Sequence, residues 1–292
     1  MRPPRTDGGP VTGFVLSGGA NQGVAQVGML RALFERGITP DVVIGTSSGA
    51  LNAASIARTP TLEGVDRLEE IWTSLTSELI FPGGFLKRAW KVLSRGDHLS
   101  SNEGLLEVLQ RAAGPVRDFS DMEVPLRVVT TDLDTGEEVV MVAGPIGPAL
   151  LASAAIPGMF PPVEIDGRRL VDGAVVDLVP ISHALAGPTE RIYVLDASDP
   201  IGDRPIRSPL DVAIRSFAIS RDQRFALELA WVPPDIEVVV FPAPHDDREF
   251  IDFSGGATLI KEAYKLASET LDDHEADASA RRRRGWWDVF RR

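Results

Sequence analysis

A serine flanked by small residues follows the second apolar run of the sequence. The stretch Gly45-Thr46-Ser47-Ser48-Gly49 has the pattern Gly-x-Ser-x-Gly, which is typical of a nucleophile elbow between a strand and a helix. Such an elbow lifts the serine hydroxyl clear of the sheet, and the helix that follows directs its free N–H groups toward the same place. The pattern therefore predicts Ser47 as a nucleophile. The alternative is a turn in which Ser47 or Ser48 only caps the helix.

A second cluster of small residues follows the first apolar run, and it reads Gly18-Gly19-Ala20-Asn21-Gln22-Gly23. The N–H groups of such a loop converge on an anion, either a phosphate or the oxyanion of an acyl-transfer intermediate. The alternatives are a tight turn and a dinucleotide fingerprint with Asp41 as its acid, although the middle glycine of that fingerprint is missing. If the two strands are adjacent and parallel, both loops face one crevice.

A serine nucleophile needs a base, and histidine is the usual one. None of the four histidines has a recognisable setting, and a Ser-His-Asp hydrolase would need His245 or His274. The other candidate is Asp172, which precedes Gly173 and Ala174 after a predicted strand. Free aspartate is a weak base with a pKa of about 3.9, and burial would raise that pKa. The residues alone leave Asp172 as either a base or a turn residue. The histidines are His98, His183, His245 and His274.

Apolar strands alternate with amphipathic helices along the chain, which predicts an α/β protein with a largely parallel sheet. Asp166-Gly167 is a hairpin turn signal within residues 163–173. Strands are predicted at 11–17, 41–46, 126–133, 137–143, 191–197 and 236–242. Helices are predicted at 23–36, 49–58, 62–76, 84–95, 103–113, 147–155, 208–231 and 254–274.

Composition excludes several classes of function. The chain has 292 residues, no cysteine, 43% hydrophobic residues and a formal net charge of −12, as in a soluble globular protein. Without cysteine there are no disulfides, thiolate metal sites or thiol nucleophiles. The acidic balance argues against nucleic-acid binding. We find no signal peptide and no transmembrane helix, and we therefore expect a cytoplasmic location.

The positive charge is concentrated at the end of the chain. Residues 281–292 carry a net charge of +5, while the remainder, with 24 basic and 41 acidic residues, carries −17. Arginines beside Trp286, Trp287 and Phe290 predict contact with an anionic membrane surface. The alternatives are a solubilising tail and a segment that folds back onto the acidic run at 272–277. The predicted organisation is a flexible N-terminus (1–10), a catalytic domain (11–275) and a basic aromatic tail (276–292).

The motifs at 16–23, 45–49 and 172–174 resemble, in order and spacing, those of the patatin-like phospholipase family. The segment ASAAIPGMFPP at 152–162 is similar to the family segment that precedes the catalytic aspartate. The resemblance covers most of residues 11–180. It implies a three-layer α/β/α sandwich that hydrolyses lipid acyl esters, as a phospholipase A, a lysophospholipase or a carboxylesterase.

The resemblance also implies a role for each motif. Ser47 would be the nucleophile and Asp172 its only base, with no metal or organic cofactor. The N–H groups of Gly18, Gly19 and Ala20 would stabilise the oxyanion. The supporting residues would be Gly23, Gly45, Ser48, Gly49, Gly173 and Ala174. Substrate contacts are expected at Asn21, Gln22, Pro157 and Phe160.

Two positions depart from the family pattern. Ala20 stands where the family usually has a third glycine, but alanine keeps its N–H group. Gln22 stands where the family often has arginine or lysine, which leaves a neutral lipid or a simple ester as alternatives to a phospholipid. Two other functions stay open on the residues alone. They are an α/β-hydrolase-type esterase with a Ser-His-Asp triad and a non-catalytic protein that binds a nucleotide or lipid.

Overall fold

One sheet of eight strands forms the centre of the computed structural model, which describes residues 9–80, 103–198, 209–246, 248 and 252–289. The strand order is β5-β6-β3-β2-β1-β7-β8, with β4 paired to β3. The pairs β1–β2, β1–β7, β2–β3 and β7–β8 are parallel, so the predicted α/β class with a largely parallel sheet is confirmed. The strands are β1 (Thr12–Leu16), β2 (Val42–Thr46), β3 (Leu126–Asp132), β4 (Glu138–Met141), β5 (Val163–Ile165), β6 (Arg168–Asp172), β7 (Arg191–Leu195) and β8 (Glu237–Phe241).

Helices connect most of these strands. Those described are α1 (Ala25–Glu35), α2 (Ser48–Arg58), α3 (Leu62–Ser74), α4 (Ser77–Ile80), α5 (Glu103–Ala113), α6 (Ile146–Ser153), α7 (Ile181–Leu185), α8 (Pro209–Ala230) and α9 (Gly256–Val289). Short 3-10 helices span Ala20–Val24, Phe119–Asp121 and Gly173–Val175. The predicted helix at 84–95 lies outside the described residues. Among the described helices, none combines the length and hydropathy that crossing a bilayer requires.

The last helix is longer than the sequence pattern predicts. We expected it to end near residue 274, but α9 continues to Val289 and so crosses the predicted boundary at 276. The stretch ADASARRRR at 276–284 consists largely of alanine and arginine, both strong helix formers. Its apolar periodicity stops near 274, although its helix propensity does not. The side chains of Trp286, Trp287 and Phe290, on which the membrane prediction depends, lie outside the described part.

Two apolar cores lie on opposite faces of the sheet. Side chains alternate between the faces of a strand, so Phe14 and Leu16 of β1 enter the larger core and Val15 enters the smaller one. The larger core includes residues of α1, α2, α3, α5, α6 and α9. The smaller core contacts α7 and, through Phe225 and Leu229, α8. The predicted three-layer α/β/α arrangement is therefore confirmed.

The antiparallel edge of the sheet comes from two hairpins. Strand β4 folds back on β3, and β5 pairs with β6 across the predicted turn. Asp166 and Gly167 have φ angles of 51° and 76°, as a two-residue hairpin turn requires. Because β6 also pairs antiparallel with β3, with Thr130 opposite Asp172, it ends beside the carboxyl ends of the parallel strands.

Candidate active site

Ser47 lies in the turn between β2 and α2. Its φ and ψ angles are 56° and −127°, a strained conformation that non-glycine residues rarely adopt. Ser47 occupies the N-cap position of α2, but its hydroxyl makes no capping hydrogen bond to the helix. Gly49 allows the start of α2 to pack closely against the end of β1, because a Cβ there would lie 2.3 Å from the Leu16 carbonyl oxygen.

The Ser47 hydroxyl instead donates to a carboxylate that lies 125 residues away in sequence. Its Oγ is 2.6 Å from Asp172 Oδ2, and the Ala174 N–H donates to the other oxygen, Asp172 Oδ1, at 2.8 Å. Asp172 is almost wholly buried, and this burial raises its pKa to about 7 against the two hydrogen bonds, which lower it. Burial therefore makes Asp172 a stronger base than an exposed aspartate.

Neither Ser47 nor Asp172 makes a hydrogen bond to a histidine in the described part of the chain. Of the four histidines, His98 lies outside the described residues, His183 bonds to Glu138, His274 bonds to Glu237 and His245 follows β8. Among the described residues, the contacts of Ser47 and Asp172 therefore include no histidine that would complete a Ser-His-Asp triad.

The end of α6 holds both members of this pair. The Ser47 N–H donates to Ser153 Oγ at 2.9 Å, and the Ser153 hydroxyl donates to the Val129 carbonyl at 2.7 Å. Two residues later, the Ala155 carbonyl accepts the Asp172 N–H at 3.0 Å. The sequence did not single out Ser153, and a polar residue in a helix of small apolar residues was the only available signal.

The glycine-rich loop after β1 packs against the elbow. A Cβ at Gly18 would lie 3.0 Å from Ser47 Cβ, and the Gly18 N–H donates to the Leu178 carbonyl at 3.1 Å. The Gly19 N–H donates to Ser48 Oγ at 3.1 Å. The Ala20 N–H makes no hydrogen bond to any described residue. Of the three predicted oxyanion donors, Gly18 is therefore already bonded to a carbonyl in this conformation.

Ala20 has a φ angle of 51°, in the left-handed region that glycine adopts without steric cost. This geometry explains why glycine suits the position. Three further predicted supporting glycines allow close backbone approach. A Cβ at Gly23 would lie 2.7 Å from Ser48 Oγ, and one at Gly45 would lie 2.5 Å from the Gly49 carbonyl oxygen. A Cβ at Gly173 would lie 2.4 Å from the Val129 carbonyl oxygen.

The predicted substrate-contact residues differ in their surroundings. Asn21, Gln22 and Phe160 are buried, and the Asn21 amide donates to the Asp252 carbonyl at 2.7 Å. Phe160 belongs to the larger core, whereas Pro157 is exposed. The contact described for Asn21 holds the loop in place, and a role of these four residues in substrate binding stays a prediction.

The sequence motifs also gave no indication of a buried polar network behind the glycine-rich loop. Gln26 Nε2 donates to the carbonyls of Ser17 and Leu195, both at 2.8 Å. Asn52 donates to Gln26 Oε1 at 2.8 Å and accepts the Trp72 indole N–H at 2.7 Å. These bonds join β1, β7, α1, α2 and α3 next to the loop. The sequence signal for this network was the position of two amide side chains within apolar helices. Amides that are buried in such helices need hydrogen-bond partners inside the protein.

A charged cluster includes Asp177, which follows Asp172 by five residues. Donor atoms of Glu138, Asp177 and His183 lie within 4.8 Å of one another, a spacing that a metal ion could bridge. However, Arg224 Nη2 bonds to Glu138 at 2.8 Å and to Asp177 at 3.0 Å, and Arg224 Nε bonds to Glu228 at 2.9 Å. Arg224 therefore already supplies the positive charge. Burial, followed by the charge of Glu228, raises the pKa of Asp177 to about 7.

Comparison with known proteins points to one family. The family model for patatin-like phospholipase matches residues 14–185. An uncharacterized NTE family protein of Mycobacterium bovis is 32% identical over 181 residues, which are 61% of this chain and 46% of that protein. Lysophospholipase NTE1 of Mycosarcoma maydis is 29% identical over 192 residues, 63% of this chain and 9% of that protein. The chain thus spans less than half the length of these curated relatives.

The fold also matches a solved structure. The crystal structure of VipD from Legionella pneumophila has a TM-score of 0.51 and 16% sequence identity to this chain. The match covers 91% of this chain and 67% of VipD. At this level of identity, the similarity concerns the fold alone.

Proposed function

This chain belongs to the patatin-like phospholipase family, and on that premise we propose that it hydrolyses lipid acyl esters with Ser47 as nucleophile and Asp172 as base. One observation carries the proposal: the Ser47 hydroxyl donates to the buried carboxylate of Asp172 at 2.6 Å. A nucleophile and its base must lie within this distance for the proton to move during attack.

The reaction proceeds in two halves. As Ser47 Oγ attacks the ester carbonyl carbon, Asp172 Oδ2 accepts the hydroxyl proton, and a tetrahedral oxyanion forms. The intermediate collapses to an acyl-Ser47 ester, and the departing alcohol takes the proton from Asp172. Asp172 then accepts a proton from water, whose oxygen attacks the acyl carbon. Collapse of this second intermediate returns the proton to Ser47 and releases the fatty acid.

The raised pKa of Asp172 supports its role as the base. A carboxyl with a pKa of about 7 accepts a hydroxyl proton with a smaller free-energy cost than one with a pKa near 4. It still ionises near neutral pH. The Ala174 N–H holds Oδ1, so Oδ2 is the oxygen directed at Ser47.

The oxyanion contacts in this proposal come from Ala20 and Gly19. The Ala20 N–H makes no hydrogen bond to a described residue, and the Gly19 N–H becomes available when the Ser48 hydroxyl rotates away. The N-terminus of α2 adds its positive dipole end. Gly18 contributes through its close packing against Ser47, because its own N–H is bonded to Leu178.

The substrate in this proposal need not carry a phosphate at the reacting centre. The pKa of Asp172 is set by burial and two hydrogen bonds, with no contribution from a charged side chain. Gln22, at the family's frequent cation position, is buried and neutral. We therefore propose that recognition depends on the acyl ester itself, and that esters of neutral and zwitterionic lipids are both cleaved.

The test combines labelling with turnover. A fluorophosphonate probe should label the wild type and Ser216→Ala, an exposed serine control, but not Ser47→Ala. Turnover of a short-chain ester should fall at least about 10³-fold in Ser47→Ala and Asp172→Asn. His183→Gln and His245→Gln should keep wild-type turnover.

Three results would contradict the proposal. One is labelling of Ser47→Ala, and another is full activity of Asp172→Asn together with loss of activity in a histidine variant, which indicates a triad. The third is tight dinucleotide binding with no labelling, which indicates a non-catalytic protein.

A further inference from the structure

Helix α8 has an exposed face without charge. On the part of α8 whose side chains the structure describes, every exposed residue is uncharged, although a quarter of the whole chain is charged. Large apolar side chains are prominent on this face, including Leu227 at 60% exposure and, directly after the helix, Trp231 at 82%. The uncharged face of α8 consists of Val212, Ser216, Phe217, Ile219, Ser220, Gln223, Ala226, Leu227, Ala230 and Trp231.

The charged residues of α8 whose side chains are described are all partly buried. Arg224 bonds to Glu138 and Asp177, and Arg221 bonds to Asp222. At 100° per residue, the five large apolar side chains of the uncharged face fall within about half of the helix circumference. Arg224 falls within the same arc, between Trp231 and Phe217, but its guanidinium is paired with Glu138 and Asp177.

The middle of α8 lies beside the edge of the sheet that also carries Ser47. Arg221 and Phe225 line a cavity with Asp196 and Pro242, which follow the ends of β7 and β8. Helix α8 leads from the carboxyl end of β7 back toward the start of β8. Its residues before Arg221 therefore continue outward, and at 1.5 Å per residue Val212 is about 14 Å further along the helix.

The two halves of α8 also differ in packing. Phe225 and Leu229 pack against the smaller core, whereas no described side chain in 212–220 is buried. Arg224 fixes the helix to the segment that follows Asp172, through its bond to Asp177. A surface held in this way has a defined position relative to Ser47.

We propose that the uncharged face of α8 docks this protein on a net-neutral, zwitterionic lipid surface and brings the Ser47 edge to its ester substrate. This inference rests on the proposed function for the presence of a lipid substrate. Apolar side chains and tryptophan favour the membrane–water interface, and the one charged group described within the arc of the face, Arg224, is already paired with Glu138 and Asp177, which lowers the cost of desolvating it. The net charge of −12 opposes approach to an anionic surface, so neutral lipid is the complementary partner.

A second copy of the chain fits this surface less well. The 22 residues of α8 span about 33 Å, and with a helix diameter of about 10 Å the face offers about 300 Å². A stable protein interface buries about 800 Å² on each partner. Two copies would also bring two strongly acidic bodies together. A lipid surface needs neither a large matched area nor a complementary charge.

The experiment measures binding of the full chain to phosphatidylcholine vesicles by co-sedimentation, in a Ser47→Ala background so that turnover does not alter the vesicles. We expect the double variant Phe217→Glu/Leu227→Glu to bind at least tenfold more weakly. The matched control Leu62→Glu/Val142→Glu adds the same charges at other exposed apolar positions and should bind normally. A blue shift of tryptophan fluorescence on vesicle addition should be reduced in Trp231→Phe.

With Ser47 restored, the α8 double variant should lose turnover of a vesicle-borne ester and keep turnover of a short-chain soluble ester. Equal vesicle binding by the α8 and control variants overturns the proposal. So does binding that requires anionic lipid and is lost on deletion of 281–292, which assigns docking to the tail. A wild-type dimer that the α8 variant dissociates assigns the face to a second copy. Vesicle binding without labelling of Ser47 leaves docking supported and overturns the proposed function instead.

Discussion

At the scale of single residues, the contact between Ser47 and Asp172 distinguishes the candidate site. Asp172 and Asp177 are both buried, and both have a pKa raised to about 7. Asp172 lies against the Ser47 hydroxyl, whereas Asp177 lies against Arg224. Asp196, whose pKa is also raised by burial, accepts the Ser17 hydroxyl at 3.1 Å. A raised pKa beside a hydroxyl therefore does not define the site by itself. The strained φ angle of 56° at Ser47 distinguishes the contact between Ser47 and Asp172.

The pH dependence of turnover belongs to this scale. Because Asp172 must be ionised to accept the Ser47 proton, and its pKa is raised to about 7, kcat/KM should rise with pH and level off above about pH 7.5. Below pH 6 it should fall about tenfold per pH unit. The measurement is the pH profile of short-chain ester hydrolysis, and a profile that is flat between pH 5 and 8 would contradict the assignment of the base.

At the scale of elements, four segments converge on the site. The turn after β2 carries Ser47, the end of the antiparallel strand β6 carries Asp172, and the end of α6 bonds to both through Ser153 and Ala155. The glycine-rich loop after β1 closes against the turn. Helix α8 lies on the other face, where Phe225 and Leu229 pack against the smaller core and Arg224 adds a bond to Asp177.

Removal of the Arg224 charge tests this attachment. Arg224→Met leaves Glu138 and Asp177 without their shared counter-charge, and unfolding free energy should fall by about 1–3 kcal/mol at pH 8, less than for a fully buried pair because Arg224 is partly exposed. At pH 5 the loss should be smaller, because Asp177, with a pKa of about 7, is then protonated. Urea unfolding at both pH values is the measurement. Arg224→Lys serves as the control and should lose less, whereas equal losses at both pH values would exclude the network as the cause.

At the scale of the whole molecule, the chain combines two apolar cores with buried carboxyl groups. Asp172, Asp177 and Asp196 all have raised pKa values, with burial as the largest cause. Each native carboxyl keeps a proton that the unfolded chain releases near pH 4. For Asp172 and Asp177, whose pKa values are raised to about 7, the stability that they contribute is therefore fully present below about pH 4 and is lost as pH rises through about 7. The proposed reaction needs Asp172 in its ionised form. At the pH at which Asp172 ionises, its buried charge therefore lowers the free energy of unfolding.

Asp172→Asn tests how much the buried charge of Asp172 alone lowers the free energy of unfolding. The neutral amide removes a buried charge, so the variant should be more stable than the wild type at pH 8, and its advantage should shrink toward pH 5, where the wild-type carboxyl is protonated. The measurement is the free energy of urea unfolding of both proteins at half-unit pH steps. A difference between them that does not vary with pH would show that Asp172 has an ordinary pKa in the folded state.

The parallel sheet, the elbow and the hairpin turn at 166–167 follow from local sequence rules, because apolar periodicity and small residues act over a few neighbouring positions. The same rules misplaced the end of α9, since helix propensity continues after the apolar period stops at 274. They also overlooked Ser153, Gln26 and Asn52. A lone polar residue on an apolar helix has a meaning only when its partners from other elements are known.

The sequence by itself determined Ser47 as a candidate nucleophile, because an elbow needs only adjacent residues. Without the family resemblance it left Asp172 as a turn residue or a base, because nothing in spacing joins positions 125 residues apart. Tertiary structure alone decided that pairing. The reversed direction of β6 brings its last residue beside the ends of the parallel strands, and burial there raises the pKa of the carboxyl. Distance and desolvation are properties of the packed chain, and no short segment carries either.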